Sequence, residues 1–304
     1  MGAAMVSFQQ SSETFIFEKA TFQDKFDREW FPFLHTFAEN PLFQMPRLMQ
    51  LAMDIQAKRP DDMYCDAEVS RIGQRWNDSF RPTGFIDQVI RTIEEGQAWV
   101  VLKRCERDPD YMGLMNAAMA QILELTGPDI EKVVDFKEVI IFITSPKRLT
   151  TYHIDRECNF IAQIAGKKKI YLFDKNDRQV LPEDEIERFW TVDNNSACYK
   201  PEYQDRAFTF HFEPGNGIHV PIGCPHWLQN DDNISITLSV NIHFIDSERR
   251  DVYRANHYLR KLGVSPSPPF VSPVRDAAKK AAWIVASRTA KLPRTIKRAL
   301  TAHN

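Results

Sequence analysis

The sequence predicts an α+β protein with a mainly β core, a sandwich or jelly roll, flanked by helices at both ends. Six short segments rich in β-branched and aromatic residues follow one another between residues 138 and 244. The first 95 residues instead show apolar residues at helical spacing, and a proline-rich stretch at 265–273 precedes a basic C-terminal segment. Many short strands with few helices between them are typical of sandwiches and jelly rolls. The length of 304 residues allows one large domain or two modest ones.

Residues 1–130 are expected to form a mainly helical N-terminal region that packs on the core. Its predicted elements are helices over 46–58, 84–96 and 112–125 and a strand over 97–103. The helices are predicted from the periodic spacing of their apolar residues. Gly96 and Gly127 follow two of them and are suited to ending a helix.

Residues 131–248 are expected to form the β core, and a helix is predicted at 249–264. The strands of this core are short and bounded by turn residues, which is the usual pattern of an antiparallel sheet. They are predicted over 138–144, 159–165, 168–174, 207–213, 217–222 and 234–244.

Residues 265–304 are expected to form a Pro-rich linker and a basic helical tail. Eight basic residues and one acidic residue give this segment a charge of +7, so residues 1–264 carry −9 of the total of −2. Ser272 and Pro273 suit the N-cap and the first position of a helix over 274–290. Such a tail can contact an acidic partner, a membrane surface or a second subunit in a homodimer, pack back on the acidic body, or stay solvated.

The composition argues against several classes of protein. A net charge of −2 gives no global basic field for nucleic acid, and no specific nucleic-acid signature is present. No apolar run approaches the roughly 18 residues that span a bilayer, and the first residues do not resemble a secretory signal. Five widely spaced cysteines without a C-x-x-C motif argue against disulfides and structural zinc. We therefore expect a cytoplasmic protein.

The motif His153-Ile154-Asp155 is the first candidate site. Side chains two residues apart point to the same face of a strand, so the imidazole and the carboxylate can reach one cation. Another histidine would complete a set of two histidines and one carboxylate, which leaves metal positions open, as in non-haem Fe(II) oxygenases. The motif alone is close to chance expectation, and the competing interpretation of His153 is a turn or core histidine. His226 lies 71 residues after Asp155 and just before the strand at 234–244, which makes it the candidate third ligand.

Three segments in order extend this motif. TTYHIDRECNFIAQIAGKKKIYLF (150–173), EPGNGIHVPIGCPHWLQN (213–230) and ITLSVNIHF (236–244) together resemble the JmjC family of Fe(II)/2-oxoglutarate oxygenases. They look most like the cupin-like branch that includes the asparaginyl hydroxylase inhibiting the hypoxia-inducible factor. The resemblance covers about residues 138–245, roughly a third of the chain. It implies a double-stranded β-helix, Fe(II) and O2, and 2-oxoglutarate as cosubstrate.

The resemblance also implies an activity and roles for particular residues. The family couples oxidative decarboxylation of 2-oxoglutarate to succinate with hydroxylation of a C–H bond, and demethylation is the same chemistry at an N-methyl carbon. By similarity, His153, Asp155 and His226 would bind Fe(II), and Lys168 would pair with the distal carboxylate of 2-oxoglutarate. Lys168 shares its strand face with apolar residues, where a lysine needs an anionic partner. The competing interpretation is a solvated lysine in a turn.

Three further residues match family positions around the cosubstrate. Thr150 corresponds to a hydroxyl that touches the same distal carboxylate, and Asn159 and Asn241 correspond to asparagines near the cosubstrate and iron. They can also be a turn threonine and two strand-end amides. Asn241 is the least ordinary, because it interrupts an apolar strand and a buried amide needs partners. Asn216 and Pro225 depart from the family pattern, which leaves the cavity wall uncertain.

A second class of function competes with the oxygenase. A non-catalytic, metal-binding cupin-like protein could serve as a regulator or scaffold. Such a module does not need a cation for a dicarboxylate, so Lys168, with Thr150 and Asn241, favours the enzyme. A cupin isomerase would typically carry more histidines. The motifs do not identify the substrate, which can be a protein side chain or a small molecule.

Overall fold

Two antiparallel β-sheets form the centre of the molecule, with helices on and beside the larger sheet. The computed structural model describes residues 14–67, 70–75, 86–245 and 250–301. The strands are β1 (Phe15–Ile16), β2 (Phe31–His35), β3 (Met63–Asp66), β4 (Trp99–Leu102), β5 (Val134–Thr144), β6 (Leu149–His153), β7 (Cys158–Ala165), β8 (Lys168–Leu172), β9 (Phe208–Phe212), β10 (Asn216–Val220), β11 (His226–Asn230) and β12 (Ser235–Phe244). The helices are α1 (Lys19–Lys25), α2 (Met45–Lys58), α3 (Ile86–Arg91), α4 (Pro109–Thr126), α5 (Glu183–Phe189), α6 (Arg250–Lys261) and α7 (Pro273–Thr301). The predicted α+β class with a β core is confirmed.

The strand order explains how residues distant in sequence meet. The larger sheet has the order β1-β2-β10-β7-β12-β5-β4-β3, and the smaller has the order β6-β11-β8-β9. From β5 onward the chain passes from one sheet to the other at nearly every connection. Only β8 and β9 follow one another in the same sheet. The two strand ends that carry His153 and His226 therefore become neighbours in the smaller sheet.

Strand β12 shows why the molecule has both a core and a cavity. Its residues alternate between apolar and polar, and both sets are buried. The apolar set, Ile236, Leu238, Val240 and Ile242, belongs to the main hydrophobic core. The polar set on the opposite face includes Thr237, Ser239 and Asn241, and it lines a cavity that the smaller sheet closes. Successive side chains of a strand point to opposite faces. The same strand therefore contributes apolar side chains to the core and polar side chains to the wall of the cavity.

Helix α2 packs on the core as its spacing predicts. Leu48, Leu51, Ala52 and Ile55 are all buried within the main cluster. The helix predicted over 84–96 is observed in part as α3, and its first two predicted residues lie outside the described ranges. The helix ends at Arg91, so the prediction that it continues to Gly96 was wrong. The strand predicted over 97–103 is β4, which pairs with β5.

The larger sheet contains N-terminal strands that the sequence analysis missed. Helices were predicted for most of residues 1–95, but β2 and β3 lie there and extend the sheet on opposite sides. Strand β2 lacks the alternation of apolar and polar residues by which a half-buried strand is predicted. Its outward residues are Pro32 and Leu34, and Leu34 is apolar although 56% exposed, so no polar residue marks the outer face. Its pairing with β10 is also distant in sequence.

Helix α7 begins at Pro273, as predicted, and packs against α6. The Ser272 hydroxyl accepts a hydrogen bond from the Arg275 backbone N–H at 3.4 Å, and Tyr258 stacks on Trp283 with ring centroids 5.5 Å apart. The helix is longer than the predicted 274–290. Among the helices covered by the structure, none combines the length and the apolar character needed to cross a bilayer.

Candidate metal and cosubstrate site

His153, Asp155 and His226 meet at one end of the smaller sheet. The two histidines are register partners on β6 and β11, with ring centroids 4.3 Å apart. An Asp155 carboxylate oxygen lies 3.6 Å from His153 Nε2, and the other lies 3.7 Å from His226 Nε2. One ligand atom from each residue lies within 4.8 Å of the others. Two imidazoles and one carboxylate on one side of a point form a donor set that suits a divalent metal and leaves other positions open.

Asp155 reaches this position from a loop and not from a strand. Strand β6 ends at His153, so the expectation that both residues of the motif lie on one strand was wrong. The loop is fixed to the turn before β11, because the Gly223 backbone N–H donates to the Asp155 carbonyl at 3.0 Å. Gly223 adopts a φ of 72° there, a conformation that glycine tolerates best.

Hydrogen bonds orient all three potential ligands. Nδ1 of His153 donates to the Thr151 carbonyl at 2.7 Å, and Nδ1 of His226 donates to the Cys224 carbonyl at 2.9 Å. Nε2 of each ring is therefore the nitrogen left for a metal. The Asn159 side-chain amide donates to an Asp155 carboxylate oxygen at 2.7 Å.

Burial keeps the imidazole of His226 in the neutral form that metal binding requires. The His226 side chain is almost inaccessible to solvent, and desolvation, with a smaller effect of His153, lowers its pKa to about 4. The imidazole is therefore neutral at neutral pH, as metal binding requires.

Lys168 is a buried cation without an anionic partner among the described residues. It begins β8 with 7% of its surface exposed, and Nζ donates to the Thr237 hydroxyl at 2.5 Å. The Thr237 hydroxyl donates in turn to the Gln163 side-chain carbonyl at 3.0 Å. Desolvation lowers the pKa of Lys168 to about 7. Nζ also lies over the Phe212 ring, 5.3 Å from its centroid. A buried ammonium held by a hydroxyl and an aromatic ring, without a carboxylate, is costly, so this site fits an anion.

One cavity connects Lys168 to the three potential ligands. Its volume is about 90 Å³, and both sheets contribute to its wall. All seven residues singled out from the sequence line it: Thr150, His153, Asp155, Asn159, Lys168, His226 and Asn241. Asn159 and Asn241 are register partners on β7 and β12. The Asn159 side-chain carbonyl is buried and has no hydrogen-bond partner within the described ranges, which adds a free polar group to the cavity.

Several residues of the wall were missed in the sequence. Thr237, Ser239 and Asn230 line the same cavity. The Ser239 hydroxyl donates to the Asn241 side-chain carbonyl at 2.5 Å. The strict alternation of polar and apolar residues in β12 could have identified the first two. The two departures from the family pattern, Asn216 and Pro225, do not line this cavity.

A larger cavity adjoins the smaller one on the metal side. Its volume is about 390 Å³, and seven residues line both cavities: Trp99, Ile140, Phe142, Thr150, His153, Asp155 and Glu157. Much of its wall comes from β3, β4 and β5. Two of the three potential ligands, His153 and Asp155, thus lie between the two cavities, whereas His226 lines the smaller one alone.

Comparisons with known proteins bear on the fold. No family model and no curated protein matches the sequence. Among solved structures, that of the Escherichia coli ribosomal oxygenase YcfD matches with 15% identity and a TM-score of 0.50, over 90% of this chain and 67% of that one. Another structure of YcfD, in complex with cobalt and 2-oxoglutarate, matches with 16% identity and a TM-score of 0.49, over 90% and 67%. The chain shares the fold of YcfD. This likeness supports a cupin jelly roll for the two antiparallel sheets.

Proposed function

We propose that this protein is an Fe(II)- and 2-oxoglutarate-dependent dioxygenase that acts as a hydroxylase. The observation that carries the proposal is the presence of Lys168 in the same cavity as three potential metal ligands. A metal site alone gives no reason to bury a lysine nearby, since burial of its charge is unfavourable. A chelating dicarboxylate accounts for both features, because one end can bind the metal while the other pairs with the ammonium.

Each side chain has a definite part in this proposal. Asn159 holds the Asp155 carboxylate in the orientation that metal binding needs. Lys168 pairs with the distal carboxylate of the cosubstrate, with the hydroxyls of Thr237 and Thr150 as neighbouring hydrogen-bond groups in the cavity. When bound, iron with 2-oxoglutarate and O2 supplies decarboxylation to succinate coupled to C–H hydroxylation. The enclosed compartment excludes bulk water from that chemistry.

The finer points of the assignment are proposals as well. A double-stranded β-helix is supported by the order β5-β12-β7-β10 in one sheet and β6-β11-β8-β9 in the other. Closeness to the asparaginyl hydroxylase branch depends on the motif resemblance. Four further points stay predictions. They are the division at residues 130, 248 and 264, the cytoplasmic location, a partner for the basic tail, and the nature of the substrate. The tail partner can be an acidic partner, a membrane surface or a second subunit, and the substrate can be a protein side chain or a small molecule.

The proposal is tested by binding of 2-oxoglutarate to the Mn(II)-loaded protein under nitrogen, measured by calorimetry. We expect binding to the wild type only when metal is present, and none to a His153→Ala/Asp155→Ala variant. If the wild type binds metal without binding 2-oxoglutarate, the non-catalytic cupin-like protein is the better assignment. If it binds neither, the metal site itself is refuted.

A further inference from the structure

The most exposed large apolar side chains lie together in one segment near the C-terminal end of the chain. Among the described residues, five such side chains are at least 63% exposed. All five lie between residues 262 and 285: Leu262, Phe270, Val271, Val274 and Val285. Single exposed apolar residues are ordinary on a protein surface, but a concentration of them marks an interaction surface.

Helix α7 presents part of this surface along its outer face. This outer face consists of four exposed apolar residues: Val274, Ala278, Ala281 and Val285. Their spacing of four, three and four residues places them on one side of a helix. Another side of α7 faces α6, because Trp283 stacks on Tyr258. Packing on α6 therefore leaves the outer face in contact with solvent.

Phe270, in the connection between α6 and α7, is held at the surface by its backbone. It adopts a φ of 68°, a left-handed conformation that is unfavourable for a bulky residue. Its backbone N–H donates to the Asp276 carboxylate at 2.8 Å, and Asp276 is buried in the first turn of α7. The fold thus maintains a strained backbone that leaves an aromatic ring mostly in solvent, which is typical of a contact surface.

Basic residues border the same surface. Lys261, Arg275 and Arg288 are exposed, and none of the three forms an ion pair with another residue that the structure describes. Over residues 258–288 the one acidic residue in the sequence is Asp276, and its side chain is buried. The surface is therefore cationic as well as apolar.

We propose that the outer face of α7 and the connection before it bind the surface of an anionic lipid bilayer, with the helix lying in the plane of the membrane. The apolar side chains enter the boundary between headgroups and acyl chains, and the basic residues contact the lipid phosphates. This surface belongs to a different part of the chain from the metal and cosubstrate site, so the proposal is independent of the proposed function.

Charge and chemistry favour a bilayer over the other occupants of such a face. Two copies of the chain that met through this face would bring like charges together. A specific protein partner would need polar contacts as well as apolar ones. Valine and alanine side chains offer neither donors nor acceptors of hydrogen bonds, so the outer face suits an apolar phase bordered by anions.

Co-sedimentation of the full-length protein with lipid vesicles tests the proposal. One kind of vesicle contains equal parts of phosphatidylcholine and phosphatidylglycerol, and the other contains phosphatidylcholine alone. We expect binding to the anionic vesicles to be at least about tenfold tighter, because each basic residue near an anionic surface contributes about fivefold. High salt should reduce this difference, since it screens the attraction.

Two double variants assign the binding to this face. Val274→Asp/Val285→Asp should weaken binding to the anionic vesicles by at least about tenfold, because it places charge on the apolar face. Val133→Asp/Val192→Asp is the matched control: it adds the same charge at two exposed valines outside the segment and should bind within about threefold of the wild type.

Several results would overturn the proposal. They are no binding of the wild type to either kind of vesicle, equal binding to both, or an equal effect of the two double variants. Sedimentation velocity without lipid tests for a second copy. A dimer that dissociates in Val274→Asp/Val285→Asp would assign the face to self-association and refute the membrane proposal. The comparison of vesicles with the wild type decides the matter even if a variant does not fold.

Discussion

Replacing Lys168 by methionine removes the buried ammonium and keeps nearly the same side-chain volume. In the proposed complex this group makes a charge-assisted hydrogen bond with a carboxylate in an enclosed cavity. Such a bond contributes about 1.5–3 kcal/mol, which corresponds to an increase of about 10- to 150-fold in the Kd for 2-oxoglutarate. Calorimetric titration of the Mn(II)-loaded protein under nitrogen measures this change directly. Affinity for Mn(II) itself should stay close to that of the wild type, because Lys168 is not a ligand.

Lys169→Met is the matched control. Lys169 is the next residue of β8, so its side chain points to the opposite face, and it does not line the cavity. We expect its Kd for 2-oxoglutarate to stay within about twofold of the wild type. If Lys168→Met binds 2-oxoglutarate as tightly as Lys169→Met does, the buried lysine is not the anion site and the reasoning fails.

Three further tests concern the hydrogen bond that orients Asp155, the charge of Lys168 and the packing of α2. Asn159→Ala removes the hydrogen bond to Asp155 and should weaken Co(II) binding by about 10- to 100-fold, followed by titration in the visible absorption bands; an unchanged affinity would refute its orienting role. Burial lowers the pKa of Lys168 to about 7 in the ligand-free folded protein, whereas a lysine in the unfolded chain has a pKa of about 10. Between pH 7 and about pH 10 the unfolded chain therefore binds more protons than the folded protein. The free energy of unfolding of the wild type, relative to Lys168→Met, should therefore rise with pH from 7 upward in urea titrations, and a fall would contradict the assigned direction. Leu51→Ala, at 1% exposure, should destabilise the protein by about 2–5 kcal/mol, whereas Met53→Ala, at 45% exposure on the same helix, should stay within about 0.5 kcal/mol; equal effects would refute the packing of α2.

The strands of the β core could be predicted because their signal is local. Alternation, β-branched residues and flanking turns identified six strands within a few residues of their observed bounds. The short strand β11 was not predicted, although it carries His226. Helix α5 was also missed, even though Glu183, Asp184 and Glu185 give it an acidic first turn, which favours a helix start.

The contents of the smaller cavity were more predictable than those of the larger one. The ligands, Lys168 and the asparagines belong to motifs with a fixed order along the chain. The part of the larger cavity that Tyr64 and Trp99 line depends on the addition of β3 and β4 to the edge of the sheet beside β5. Nothing in the local sequence around Tyr64 or Trp99 indicates that these residues will line a cavity together with Asp155. Pairing between distant strands decides this, and a single sequence does not reveal it.

The most direct test of the central claim is formation of succinate from 2-oxoglutarate by the purified protein with Fe(II), ascorbate and air. His153→Ala/Asp155→Ala is the control, because it removes two of the three proposed ligands. We predict succinate above the background of this variant, even without added substrate, and dependent on added iron. Succinate formation by the wild type that does not exceed that of the variant would contradict the assignment of these residues as the iron site of an oxygenase.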